Sequence, residues 1–188
     1  KLIYLFAFIL FLLQSCKTDT YKPGVMGYDY FPNKVGHWVH YDVDSIVSDI
    51  GDGVNRNDTY HFQVKEYIES DFTDNSGRNA QRLERYYRDN DATEWYIRRV
   101  WYSNRTTLTA EKIEENVRYI KLHFPVAQDK EWNGNLYNAL GRENYKYVDV
   151  YKPYSINGFN FDSTVTVRQI ELNNLVFHEK VFEIYAKH

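Results

Sequence analysis

A chain of 188 residues has the length of one domain with room for a sizeable core. Its 23 basic and 26 acidic residues give a formal charge of −3, which leaves no basic footprint for nucleic acid and no polybasic patch for anionic lipid. One cysteine excludes a disulfide framework, and an aromatic share of 18 %, with 18 Tyr, 11 Phe and 4 Trp, favours strands over helices.

The twelve residues Leu2 to Leu13 are apolar and follow Lys1. Crossing about 30 Å of hydrocarbon takes roughly 20 such residues, so the run is too short to span and has the length of a secretory h-region behind a basic residue. Next comes Leu13-Gln14-Ser15-Cys16, which resembles the lipobox of bacterial lipoproteins: an aliphatic at −3, a small residue at −1, and Cys at +1. Gln14 departs from the small or aliphatic residue usual at −2. The resemblance implies a diacylglyceryl group on the Cys16 thiol, cleavage between Ser15 and Cys16 and acylation of the new amino terminus; the diacylglyceryl group alone supplies the two chains that stable attachment needs. Cleavage removes one Lys with residues 1–15, leaving 173 residues, 22 basic against 26 acidic side chains and a formal charge of −4. The expected organisation is a signal peptide at 1–15, a lipidated tether at 16–34 and a single β domain at 35–188.

Lys17 to Lys34 contains two Gly and two Pro and shows no sustained period, as a linker does. Tyr28, Tyr30 and Phe31 are expected to dock its second half on the domain, because a free linker seldom carries three large rings. From Val39 the pattern alternates, Val39, Tyr41 and Val43 against His40, Asp42 and Asp44, which predicts a half-buried strand. Ser48 to Asp58 reads as a loop of Gly, Asn and Asp, after which Tyr60, Phe62, Val64 and Ile68 resume the period of two. Asp71 to Asn79 reads as a turn, Leu83 and Tyr87 as the inward face of the next strand, and Asp89 to Asp91 as another turn. In the following strand Trp95, Ile97 and Trp101 alternate with Tyr96, Arg98 and Tyr102.

Thr107 to Asn116 also suits a helix, because Ile113, Val117 and Ile120 have helical spacing and the segment is rich in Glu and Lys. The reading preferred here is strand, turn at Glu115-Asn116, then strand, because Ile120, Leu122 and Phe124 alternate and a helix of under three turns is marginal. Asn133-Gly134 is a turn signal. Val148 and Val150, Val165 and Val167, and Phe182 and Ile184 mark three more strands. Val165 and Val167 stand on odd positions but Ile170 and Leu172 on even ones, so one extra residue, a β-bulge near Arg168-Gln169, is predicted. The expectation is an all-β, antiparallel up-and-down meander of about nine strands, a strongly curved sheet or partly closed barrel, with a two-layer β-sandwich as the alternative. The last strand pattern reaches His188, which allows a further C-terminal segment and an open edge.

Chemistry is sparse. His37 and His40 point to opposite faces of a strand, His61, His123 and His178 stand singly, and no zinc spacing occurs. Asp49 to Asp58 and Asp71 to Asn75 offer oxygen ligands without the register of a calcium loop, and Gly51 and Gly53 lack a third glycine and a following helix. No GxSxG or SxxK is present, and the adjacent acids Glu114 and Glu115 diverge where a glycosidase pair must converge. The expectation is no catalytic residue, no metal and no cofactor.

The rings are the unusual resource. Tyr96 and Tyr102 beside Arg98 are the candidate surface for binding, whereas Tyr60, Phe62, Leu83, Trp95, Ile97 and Leu122 would line an inward pocket for an apolar ligand. The set formed by the lipobox, Phe31 to Ile46, the turn from Asp71, Lys121 to Val126, Trp132 to Asn135 and the Glu183 to Lys187 end resembles small outer-membrane lipoproteins of the Bacteroidota, a group of unassigned biochemical role. That resemblance implies an exported, lipid-anchored β domain. The residues after Cys16 lack an acidic run associated with surface export, which favours the periplasmic face of the outer membrane. Two functions stay open: a non-catalytic binding or scaffolding module for a protein or glycan, and a carrier whose barrel holds a lipid. Partners are then the membrane through Cys16 and one such ligand, with nucleic acid excluded.

Overall fold

The computed structural model describes residues 25–51, 54–173, 175 and 178–187; the leader, the lipobox and Cys16 lie outside them. The protein is all-β. Six antiparallel strands in chain order, β1 (Trp38–Gly51), β2 (Val54–Thr73), β3 (Asn79–Arg88), β4 (Tyr96–Arg105), β5 (Thr109–Glu114) and β6 (Val117–His123), form a curved meander, a half-barrel. A second antiparallel sheet runs β7 (Glu131–Asn133), β8 (Asn144–Ile156), β9 (Phe159–Asn173), β10 (His178–Ala186). Among the described residues no helix is long and apolar enough to cross a membrane, and the one helical turn is a 3-10 turn at Tyr28–Tyr30.

Local chemistry explains the connections. Glu115 and Asn116 both take positive φ, 48° and 67°, so the β5–β6 link is the tight hairpin turn read from the sequence. Asn157 and Gly158, at 49° and 83°, do the same for β8 and β9. The expected bulge is present: Val181 pairs with Ile170 and Phe182 with Arg168, leaving Gln169 as the extra residue. The stretch read as a loop from Ser48 to Asp58 is a correction. β1 and β2 stay paired as far as Gly51 and Val54, so cross-strand pairing overrides the low strand propensity of the Gly, Asn and Asp residues there. The side chains of 49–56, including most of the acids considered for calcium, lie outside those described.

The core sits where the two sheets meet, not across the whole meander. Ala110, Ile120, Leu122 and Phe124 from the β5–β6 side pack against Trp132, Tyr145, Tyr147, Val165 and Val167. Tyr30 and Phe31 complete that cluster, so the second half of the supposed tether is core, and Arg105 fixes it by donating to the Tyr28 and Phe31 carbonyls at 3.1 and 3.0 Å. Tyr147 is fully buried, and its hydroxyl meets the backbone N–H and C=O of His123 at 3.0 and 3.2 Å. Gly134 lies flat under the Tyr145 ring; a Cβ there would stand 2.5 and 2.6 Å from two ring carbons. Gly134→Ala is therefore expected to cost about 1–3 kcal/mol through overpacking, read as a fall in the urea midpoint at unchanged slope.

Farther along the inner face the filling is ionic. Glu66 binds Arg85 at 3.0 Å and Lys112 at 2.7 Å, and Trp101 lies between those cations, 3.9 Å from the Arg85 guanidinium and 5.1 Å from the Lys112 ammonium. Lys121 reaches Glu183 of the second sheet at 2.8 Å and Glu114 at 3.2 Å. Burial opposes the Lys121 charge, but Glu183 and Glu114 overcome it and raise its pKa. The Glu66–Arg85, Glu66–Lys112 and Lys121–Glu114 pairs lie within the six-stranded sheet, and Lys121–Glu183 ties it to the second.

Candidate binding site

The face of the meander turned away from the second sheet carries a trough. Its geometry follows from register. Trp38 pairs with Tyr67; His40 pairs with Lys65 and Lys65 with Tyr86; Gln63 of the next rung pairs with Arg88. Residues directly opposite share a face with Cβ atoms about 5 Å apart, so three rungs stack rings and bases side by side. Trp95, in the β3–β4 connection, folds over the end. The Trp95 ring lies 4.5 Å from the Arg88 guanidinium and 5.2 Å from the Lys65 ammonium, and 5.3 Å edge-on from His40. The concavity measures about 430 Å³, within the roughly 300–1,000 Å³ typical of small-molecule sites.

Its electrostatics are mixed: Glu84, opposite Tyr67, and Asp42, opposite Gln63, stand on the flanking rungs, but Glu84 is bound to Arg82 and Tyr86 and Asp42 accepts from Gln63, which leaves the Lys65 charge on the middle rung. Lys65 lies 4.7 Å over the Tyr86 ring and has no carboxylate partner among the described residues. Arg88 is held by Asp91 and by Gln63. The Tyr86 hydroxyl donates to Glu84 at 2.5 Å, and that bond, with burial, pushes its pKa up to about 12, so the phenol stays neutral and fixed. Trp38 is 59 % exposed at the mouth, a large ring held open to solvent on a rigid strand. Such a surface can stack a flat or ring-shaped ligand and attract negative charge to Lys65.

The residues singled out from sequence are distributed elsewhere. A bulge at Arg98, where Arg85 pairs with Arg99 but Tyr86 with Ile97, reverses the faces of β4 midway. Tyr96 therefore lies with Tyr87 on the inner side, whereas Tyr102 lies on the outer side against Phe72 at 5.5 Å and accepts from Arg118 at 3.3 Å. The expectation that Tyr96 and Tyr102 share a face beside Arg98 is corrected; Arg98 stacks on Tyr87 at 4.8 Å. Of the proposed pocket set, Tyr60, Phe62 and Leu83 belong to the inner face, Ile97 and Trp95 to the outer one, and Leu122 to the core between the sheets. Those six residues do not enclose one space. Only Trp95 is in the trough.

The other polar cluster is internal. The Asp74 carboxylate accepts from the backbone N–H of Ser76 and Arg78 at 2.9 and 3.0 Å and from the Arg78 guanidinium at 3.0 Å, while Glu111 accepts from Arg78, Arg118 and Thr109. These partners occupy the Asp74 oxygens, and Asp71 accepts from the Gln81 amide at 2.9 Å; no group of three or more potential ligands that could hold a metal occurs among the described residues. Burial by itself raises the Asp74 pKa, yet the Arg78 and Ser76 amides and the Arg78 guanidinium outweigh it and hold the carboxyl below its ordinary 3.8. A depressed folded-state value stabilises the fold above the unfolded value and loses that contribution as pH falls through the folded one. The stability gap between the native protein and Asp74→Asn is accordingly expected to be full at pH 6 and to shrink below about pH 4 in urea titrations. Glu114 and Glu115 diverge as expected, the first to Lys121 and the second to Arg99 and the Trp101 indole.

Fold and trough together define an antiparallel all-β module with an open-face aromatic site. No protein-family model, curated protein or solved structure matches the chain.

Proposed function

We propose that this chain is a lipid-anchored envelope lipoprotein, tethered through Cys16 to the periplasmic side of an outer membrane, and that its trough binds an acidic glycan. The observation that carries the binding reading is the Lys65 ammonium, held over the Tyr86 and Trp95 rings with no carboxylate of its own among the described residues. A pyranose offers an apolar C–H face for the rings, and a uronate carboxylate supplies the missing partner for Lys65. The carrier alternative gains no support from the inner face, where Glu66, Arg85, Lys112 and Lys121 stand in place of an apolar lining.

Two titrations test the reading. Intrinsic fluorescence is expected to change saturably with an oligogalacturonate and at least tenfold more weakly with its neutral counterpart; equal response, or none, contradicts it. Mass spectrometry of membrane-extracted protein is expected to find the acyl chains on Cys16 and to lose them in Cys16→Ser.

A further inference from the structure

The β8–β9 hairpin has an apolar face that is exposed at its tip among the described residues. Tyr154 pairs with Phe161 and Ile156 with Phe159, so all four side chains project to one side, while Ser155 and Asn160 bond each other at 2.6 Å on the other. At the tip Ile156 is 48 % and Phe159 67 % exposed. Positions 153–161 contain no charged residue, and Lys152 and Asp162 flank them. The base of the same strand receives the chain's N-terminal segment: the Tyr151 hydroxyl donates to the Val25 and Val126 carbonyls, each at 3.3 Å. Val25 is nine residues from Cys16, a reach of about 30 Å when extended, and the tip is five residues, about 17 Å of strand, beyond Tyr151.

We infer that the hairpin tip is a second membrane contact, inserting Ile156 and Phe159 into the lipid surface that the acyl chains at Cys16 enter. The inference rests on the lipid-anchor reading for its occupant. One lipid chain pair fixes a position but no orientation; a second apolar contact at the level the tether reaches fixes how the domain stands, and with it the direction the trough faces. A tip free of charge over 153–161, with Lys152 and Asp162 only at its edge, suits an acyl region bounded by polar headgroups.

The test uses the full protein purified from membranes and reconstituted into phosphatidylethanolamine–phosphatidylglycerol vesicles with brominated acyl chains. Relative to the unsubstituted protein, the added emission of Phe159→Trp is expected to be blue-shifted and to lose most of its intensity to the bromines. The same substitution at Leu136, 58 % exposed in the loop after β7, is expected to be unaffected. Loss of neither signal in acylated, vesicle-bound protein overturns the inference while leaving the anchor intact. Quenching at Phe159→Trp without acyl mass on Cys16 supports the tip contact and removes the anchor. A blue shift that instead grows with protein concentration in detergent means a second copy covers the tip, and overturns it.

Discussion

Glu111→Ala is expected to destabilise the protein by about 3–5 kcal/mol, the cost of removing one partner from a buried charge network. The Glu111 side chain is 1 % exposed and accepts from two guanidiniums, Arg78 at 3.2 Å and Arg118, and from the Thr109 hydroxyl at 2.9 Å. Both arginines also reach Asp74, so two partly exposed cations share two buried carboxylates. Deleting Glu111 leaves two guanidiniums facing one acid, and neither has an alternative acceptor of equal strength. Against a total stability of roughly 5–15 kcal/mol the loss is a large fraction, visible as an early urea midpoint. Glu115, exposed and paired with Arg99, is the contrast: Glu115→Ala is expected to leave the midpoint nearly unmoved.

Trp95→Ala is expected to weaken ligand binding at the trough tenfold to a hundredfold, about 1.4–3 kcal/mol, with little change in the urea midpoint. Trp95 lies in a connection, half-exposed, and its neighbours are Lys65, Arg88 and His40 rather than core side chains. Its removal deletes a stacking platform and one of the two rings beneath the Lys65 ammonium, while Asp91 and Gln63 still hold Arg88. Lys65→Met separates the components: it keeps the length that covers the Tyr86 ring but removes the charge, so affinity for an acidic sugar is expected to fall while affinity for a neutral one holds.

The strand order was legible because each strand carried its own alternation and each turn its own turn residues. The bulge at Gln169 showed itself because the apolar residues switched from odd to even positions across it. The bulge at Arg98 did not, since Trp95, Ile97 and Trp101 all fall on odd positions and β4 has aromatic residues on both faces. A parity test fails where both faces are equally apolar. The buried pairs were invisible for a related reason: Asp74, Glu111 and Arg118 look like surface charge until the β2–β3 turn brings Arg78 against them. The trough had a signal that alternation obscured. Trp38 and His40, Lys65 and Tyr67, and Tyr86 and Arg88 each place a ring two residues from a base or imidazole on the polar phase of adjacent strands. Only register shows that the three pairs lie side by side.

The four tryptophans report directly on whether the proposed ligand enters the open-face trough or the space between the sheets. Trp38 and Trp95 line the trough, the Trp101 indole N–H donates to Glu115 at 3.0 Å, and that of Trp132 donates to the Ile120 carbonyl at 2.9 Å within the core. A ¹H–¹⁵N correlation spectrum of the indole groups during titration with an oligogalacturonate should move the Trp38 and Trp95 resonances and leave those of Trp101 and Trp132 in place. Movement of Trp101 or Trp132 with Trp38 and Trp95 unmoved would put the ligand between the sheets and contradict the account.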